Sequence, residues 1–524
     1  MSHKTLQLLV NNCERLITLK QIHAKAISLG LLRNHHQGLA CNILNTYAKV
    51  GSFQDAHNLF YYHIHHPDIV SFTCLINLYL NSRLPGRALS VFSQLVGSGL
   101  SPDGHSALAA LLACGHGRGL LSGRIVHGMI LKLQLGLIPF VGNGLIDMYS
   151  RNGEVGMAEL VFRHMENKDI GSWNSLLNGF VLCDGLESAR LVFDGMPLRN
   201  SITWNAMISG YARSKHPMRA FELFKRMKAE AVESSAITIV AVLSACASTG
   251  ALYHGQAIHG LLNKIDTDKN VTVNNALMDM YSKGGSLDLA VKVFNAMVKK
   301  DAYSWTTMIC GYAIYGSGNR ALEVFSNMLE SRVDPNEVTF LSLLMACSHA
   351  GLFAEGLRLF KIMIKSYGFK PKIEHYGSVV DLFGRAGLLE EAKEFIESMP
   401  INPDAVIWRT LLSSCLVHGN LKLAEMAGTK ILELDPDDDG VYMLLWNFNY
   451  ASNRLQDALK RRTMMRDRKV KKQPGCSWVE VNGIVEEFFA EEKVHHVFGK
   501  IHSTLKGIAR NLKLDSEVLY LELQ

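Results

Sequence analysis

One segment of this chain carries two of the side chains that a hydrolytic zinc site needs. His164-Met165-Glu166 is its sole His-x-Glu sequence. Such a segment can offer an imidazole to zinc and a carboxylate to shuttle a proton, but the chemistry also needs a PCxxC segment supplying two thiolates. The ten cysteines (Cys13, Cys41, Cys74, Cys114, Cys183, Cys246, Cys310, Cys347, Cys415, Cys476) contain no CxxC pair and no dense cluster. They read as small buried apolar residues in a reducing compartment rather than as a disulfide framework or a zinc site. His495-His496 lacks carboxylate and thiol neighbours, and His63, His65 and His66 fall on a link between helical segments, so both groups read as surface residues. The stretch GHGRGLLSG at 115–123 suggests a phosphate loop, yet it follows a helical pattern instead of a strand and reads as an inter-helix turn. No catalytic residue, metal or cofactor is expected, and the chain is expected not to be an enzyme.

A different set of polar residues recurs at fixed phase. Asn174, Asn205 and Thr306 each follow a tryptophan, in GSWNSLLNGF, ITWNAMISGY and YSWTTMICGY. The tryptophans are spaced by 31 and 101 residues, and 101 is what units of 35, 35 and 31 residues give. The apolar letters stay constant while the small amide or hydroxyl changes. That pattern suits a scaffold presenting interchangeable hydrogen-bonding groups, although Asn and Thr are also favoured at helix starts.

The scaffold is legible as helix pairs. Ala, Phe and Met recur at steps of four and three residues in Ala158/Phe162/Met165, Ala189/Phe193/Met196, Ala220/Phe224/Met227, Ala290/Phe294/Met297 and Ala321/Phe325/Met328. Related forms are Ala56/Phe60, Ala88/Phe92, Phe360/Met363 and Ala392/Phe395. These steps place the groups on one helical face. A second helical pattern precedes each and ends in an aromatic-and-glycine turn such as DMYSRNGE or DMYSKGGS, where glycine suits the helix end. One such pair cannot bury its apolar face alone, but stacked pairs share a continuous core. The 48% hydrophobic and 19% charged composition fits a packed chain. The longest apolar run, at 236–252, is interrupted by Thr, Ser and Gly, so no membrane span is expected.

Units of 35, 35 and 31 residues, alternating as P, L and S types, resemble the plant pentatricopeptide-repeat family, PLS subclass. The resemblance implies an all-α fold, a right-handed superhelical solenoid of stacked antiparallel helix pairs. Degenerate L and S repeats occupy 1–68 and the main P/L/S array 69–404. Residues 405–475 look like the E1 and E2 motifs, similar to tetratricopeptide pairs, and 476–524 like the E+ extension, opening on PGCSWVEV with a short β-hairpin expected. The deaminase domain that follows in related proteins, named DYW, is not found before Gln524.

In this family each repeat is thought to read one RNA base with the fifth residue of its first helix and the last residue of the repeat. Carried over, Thr73 with Asp103 would favour G, Asn143 with Asp169 U, and Asn174 with Asn200 a pyrimidine. Asn205 with Ser235 would favour C, Asn275 with Asp301 U, and Thr306 with Asn336 A. The L repeats depart from the pattern: Leu108 with Ile138, Val240 with Asn270 and Leu341 with Lys372 have apolar fifth residues that cannot read a base edge. Gly377 with Asp404 and the first two units are also poor readers. The expected target is roughly G-?-U-Y-C-?-U-A-?-?. The expected partner is single-stranded organellar RNA, with short polar side chains reading unpaired base edges.

The net charge of +6 is concentrated in one run, where Arg454, Lys460, Arg461, Arg462, Arg466, Arg468, Lys469, Lys471 and Lys472 face only Asp457 and Asp467. It reads as a solvated helix face, an RNA phosphate clamp or a protein-docking surface. The resemblance implies a site-recognition factor for C-to-U RNA editing that recruits a DYW-type deaminase and accessory editing factors in trans through the E/E+ region. Control of RNA stability, splicing or translation by occupancy is the alternative within the binding class; a protein-binding helical scaffold is the alternative outside it. Repeats start almost at Met1, leaving no separate transit peptide. Up to residue 54, Glu14 is the sole acid against Lys4, Arg15, Lys20, Lys25, Arg33 and Lys49, so this start could double as an import signal. The mitochondrion is expected, with the chloroplast as alternative.

Overall fold

The computed structural model describes residues 3–11, 13, 16–31, 37–50, 52–64, 67–214, 216–262, 270–468, 470, 472, 475–481, 484–489 and 503–504. They form antiparallel α-helix pairs, as the apolar periodicity requires, and one β-hairpin. The pairs fall into two compact units. One holds residues 1–211 and 223–233, the other 212–222 and 234–524.

In the first unit the pairs run from His3–Asn11 with Leu16–Ser28 to Ile170–Leu182 with Leu186–Gly195, followed by the helix Ser201–Ala212. In the second they run from Ala236–Thr249 with Leu252–Leu262 to Asp439–Ala451 with Leu455–Asp467. Within each unit the first helix of a pair packs on the first helix of the next as far as Ala405–His418, whereas Asp439–Ala451 packs on Leu421–Leu434. Strand β1 (Cys476–Val481) pairs antiparallel with β2 (Ile484–Phe489), Cys476 opposite Phe489 and Val481 opposite Ile484, where the alternation at 476–481 placed a hairpin.

The constant letters are the core. Ala158, Ala189, Ala290 and Ala321 are wholly buried, as are Phe193 and Trp204. Each large ring of a second helix meets the tryptophan of the next repeat edge-on. The centroids lie 4.8 Å apart for Phe162–Trp173, 4.9 Å for Phe193–Trp204 and 5.0 Å for Phe294–Trp305. That geometry sets the positive ring edge against the negative face and adds to the burial energy.

The difference between 31 and 35 residues is one helical turn. In short repeats the second helix has ten residues and stops before the methionine, so Met165, Met196 and Met297 are extended and still buried. In the long repeats Gly318–Glu330 and Pro85–Gly97 it has thirteen. These longer helices close through a residue of positive φ, Arg332 at 56° and Gly99 at 82°. Turns inside the pairs need the same left-handed geometry, supplied by Gly153 (φ 81°) and Gly285 (φ 87°). Glycine is not universal there: Arg83, Arg118 and Asp184 adopt positive φ at equivalent turns.

Candidate nucleic-acid interface

The last residue of each repeat begins the next helix. Asp103, Asp169, Asn200, Ser235, Asp301 and Asn336 are N-caps, each accepting the N–H three residues on. The cap satisfies a backbone donor that a helix start leaves open. The residue donating that N–H is always Ser or Thr, and its hydroxyl bonds back to the cap: Ser106, Ser172, Thr203, Thr238, Ser304 and Thr339. These third-position hydroxyls were not singled out from the sequence, although Asp/Asn/Ser-x-x-Ser/Thr at these six helix starts was a capping signal in plain view.

Stacking the first helices brings the fifth residue of one repeat to the cap of the next. Asn143 Nδ2 donates to Asp169 Oδ1 at 3.5 Å, Asn174 Nδ2 to Asn200 Oδ1 at 3.4 Å and Asn275 Nδ2 to Asp301 Oδ1 at 3.4 Å. All three are at the long end of hydrogen bonding. Thr306 reaches Asn336 through Thr339, with Thr306 Oγ1 2.7 Å from Thr339 Oγ1, which donates to Asn336 Oδ1 at 3.1 Å. The Thr73 hydroxyl donates instead to the Ile69 carbonyl at 2.7 Å, while Asp103 is bonded to Ser106. Asn205 is half-buried on its helix, and Ser235 caps the helix Ala236–Thr249.

Electrostatics differ along the row. Burial pushes the carboxyls of Asp169 and Asp301 up, but the N–H and hydroxyl of Ser172 or Ser304 and the amide of Asn143 or Asn275 outweigh it and hold both below the usual carboxylate range. Both remain ionised and accept only. Among the described residues Asn143 Oδ1 and Asn275 Oδ1 are buried without a hydrogen-bond partner.

The L-repeat fifth residues Leu108, Val240 and Leu341 are half-buried. Leu108 fills the space beside Gly144, where a Cβ would lie 2.5 Å from its Cδ1. No polar group stands at these positions. A Cβ on Gly377 would have only Ile407 nearby, at 4.0 Å.

The isolated chemistry-bearing residues do not converge. His164 Nδ1 bonds the Leu160 carbonyl at 2.8 Å and Glu166 is exposed. The stretch 115–123 is the turn between Gly104–His116 and Leu120–Lys132, with Arg118 at φ 49°. Among the described residues no group of three His, Cys, Asp or Glu is placed to hold a metal ion, and nine cysteines are free thiols. No described helix is long and apolar enough to cross a membrane. His65, His66, His495, His496, Lys469 and Lys471 lie outside the described residues.

Part of the basic run is committed within the E region. Arg461 pairs with Glu425, which also accepts from Asn449 Nδ2 at 2.6 Å. Arg462 lies 5.7 Å from the Trp446 ring, and Arg468 donates to the Pro436 carbonyl at 3.3 Å. Of the three readings, a wholly solvated face therefore fails for Arg461. Arg454 and Lys460 are exposed.

Known proteins share this plan. A mitochondrial pentatricopeptide repeat-containing protein of Arabidopsis thaliana is 36% identical over 503 residues, covering 95% of this chain and 73% of the relative. The chain belongs to the pentatricopeptide-repeat family. A chloroplastic pentatricopeptide repeat-containing protein of the same plant is 37% identical, covering 98% of this chain and 79% of its own. Another chloroplastic relative is 34% identical, but only 54% of its length is spanned. The PPR repeat profile matches 70–100, 143–170, 171–201, 275–301, 338–367 and 374–402, and the PPR repeat family profile 199–248 and 300–349. The E motif matches 418–480. The pentatricopeptide repeat protein PPR10 from maize shares the fold, with TM-score 0.54 at 17% identity over 90% of this chain and 70% of that one.

Proposed function

We propose that this pentatricopeptide-repeat protein is a sequence-specific single-stranded RNA-binding factor of an organelle, reading its target with Thr73/Asp103, Asn143/Asp169, Asn174/Asn200, Asn205/Ser235, Asn275/Asp301 and Thr306/Asn336. The observation that carries this reading is the meeting of variable polar side chains with helix caps, direct for Asn143/Asp169, Asn174/Asn200 and Asn275/Asp301 and through Thr339 for Thr306/Asn336. Donor and acceptor capacity agrees with the bases assigned. Thr73 has given its hydroxyl hydrogen to a backbone carbonyl and Asp103 is a carboxylate, so both accept, which complements the N1–H and N2–H donors of guanine. Thr306 and Thr339 share one hydrogen across 2.7 Å, and whichever hydroxyl gives it, Thr306 keeps a lone pair for the exocyclic amine of adenine. The organelle is supported by the relatives, whose names place them in the mitochondrion or the chloroplast. The mitochondrion is our assignment.

The E motif beside the repeats supports a role in C-to-U editing, with the E region recruiting a DYW-type deaminase in trans. The bridge Arg461–Glu425 and the pair Arg409–Asp438 hold its two helix pairs together, so it can present a fixed surface to a partner. Sequencing organellar transcripts with and without the protein tests this. Loss of conversion at one cytidine preceded by the assigned bases is expected. Unchanged editing with altered transcript ends or abundance would replace editing with action by occupancy.

A further inference from the structure

The third-position hydroxyl does different work in different repeats. Ser172 and Ser304 each face a carboxylate cap and lie 2.9 Å from its Oδ1. A hydroxyl has one hydrogen, and an ionised acceptor holds it more strongly than an amide does. Asn143 and Asn275 are then held only by one long bond each, at 3.5 and 3.4 Å, with their carbonyl oxygens unpartnered. In the repeat 170–200 the cap is the neutral Asn200. Thr203 Oγ1 lies 2.7 Å from Asn174 Oδ1 and 3.0 Å from Asn200 Oδ1. The shorter contact takes the hydrogen. Asn174 is 7% exposed and Thr203 is wholly buried, so water does not compete for that bond.

We infer that Thr203 is a positioning residue that makes Asn174 select cytosine over uracil. The inference rests on the RNA-reading role proposed above. Uracil offers an N3–H donor between two carbonyl acceptors, and reading it fully takes an acceptor on the protein. Asn143 and Asn275 can turn an uncommitted carbonyl toward N3–H. Asn174 cannot, because its carbonyl is held by Thr203, and what remains is an amide N–H. Cytosine accepts that N–H at N3 or O2 and brings no N3–H to be left unpaired. A buried donor left unmatched is the expensive outcome, so the penalty falls on uracil. The same two letters, Asn and Asn, thus acquire a direction from a third residue that never touches the RNA.

The test measures binding of the full chain to synthetic RNAs of the form G-N-U-Y-C-N-U-A-N-N, with C or U at Y, beside a scrambled control. Wild-type protein is expected to favour C by about five- to tenfold, the worth of one hydrogen bond. Thr203→Val removes the hydroxyl at constant shape and should bring the ratio to about 1, while Thr203→Ser restores it. Thermal midpoints of the three proteins report whether each is folded. Equal binding of C and U by the wild type overturns the inference without any variant, as does an unchanged ratio in folded Thr203→Val. Failure of the wild type to prefer any of these RNAs over the scrambled control sinks the RNA-reading role itself, a separate result.

Discussion

Exchanging two letters in one repeat should rewrite one base without disturbing the stack. In the repeat 271–301, Asn275→Thr with Asp301→Asn installs the pair found naturally at Thr306 and Asn336. Asp301 Oδ1 accepts the Ser304 N–H at 2.8 Å, and an asparagine keeps that oxygen, so the cap is retained within a few tenths of a kcal/mol. The change at 275 loses a 3.4 Å bond, worth less than about 1 kcal/mol at that length, and removes a buried unpartnered oxygen that costs about 1–3 kcal/mol. Stability should therefore stay within about 1 kcal/mol of the parent or rise. Uracil loses the two bonds that the Asn amide could give it, about 2 kcal/mol, which is roughly 30-fold in affinity. Adenine gains at that one position. Fluorescence anisotropy with four RNAs differing only at the facing nucleotide, with thermal midpoints taken in parallel, checks both halves. A preference for U that persists in a variant of unchanged midpoint refutes the reasoning, as does an equal loss on all four RNAs.

Three further outcomes follow from the geometry. Phe294→Ala empties the edge-to-face contact with Trp305 and should cost about 3–5 kcal/mol; because a stack transmits stability only to neighbours, hydrogen exchange should quicken in 271–314 and stay slow beyond residue 405. Burial, with a smaller push from the positive charge of His63, lowers the His23 pKa to about 4, and burial lowers that of His127 too. Both bind protons more weakly folded than unfolded, so their contributions are complete above about pH 6.5 and weaken as pH falls, that of His23 being lost toward pH 4; the thermal midpoint should drop over that window, and less steeply in His23→Gln. Arg461→Ala strands Glu425 and should cost about 1–2 kcal/mol, read by denaturant unfolding, whereas the exposed Lys460→Glu should leave stability within about 0.5 kcal/mol. If Lys460 touches phosphate, that variant also reduces the salt slope of RNA binding by about one ion.

The repeat register and the core were legible because periodicity is a one-dimensional property. Ala290, Phe294 and Met297 are written at helical spacing, and the structure buries them together with the tryptophan one repeat on. The 35-against-31 alternation was equally visible, though not its cause, which is a helical turn that the short repeats omit before Met165, Met196 and Met297. The turns were only half legible: Gly153 and Gly285 announce positive φ, whereas Arg83, Arg118 and Asp184 adopt it with no glycine to mark it. The basic run read as free charge, yet Arg461 is half-buried against a glutamate 36 residues away that no local pattern connects to it.

Sequence alone determined which letters vary and which do not, because a stack of identical helix pairs demands the same apolar residues at the same phase and leaves the remaining positions unconstrained. Tertiary structure decided what the variable letters hold. Asn143, Asn174 and Asn275 are the same residue beside similar neighbours, but Asp169 and Asp301 draw the third-position hydroxyl to themselves while Asn200 lets it go to Asn174. That outcome depends on competition among acceptor oxygens about 3 Å from one hydroxyl oxygen, brought together from two repeats. No spacing in the chain records which acceptor wins.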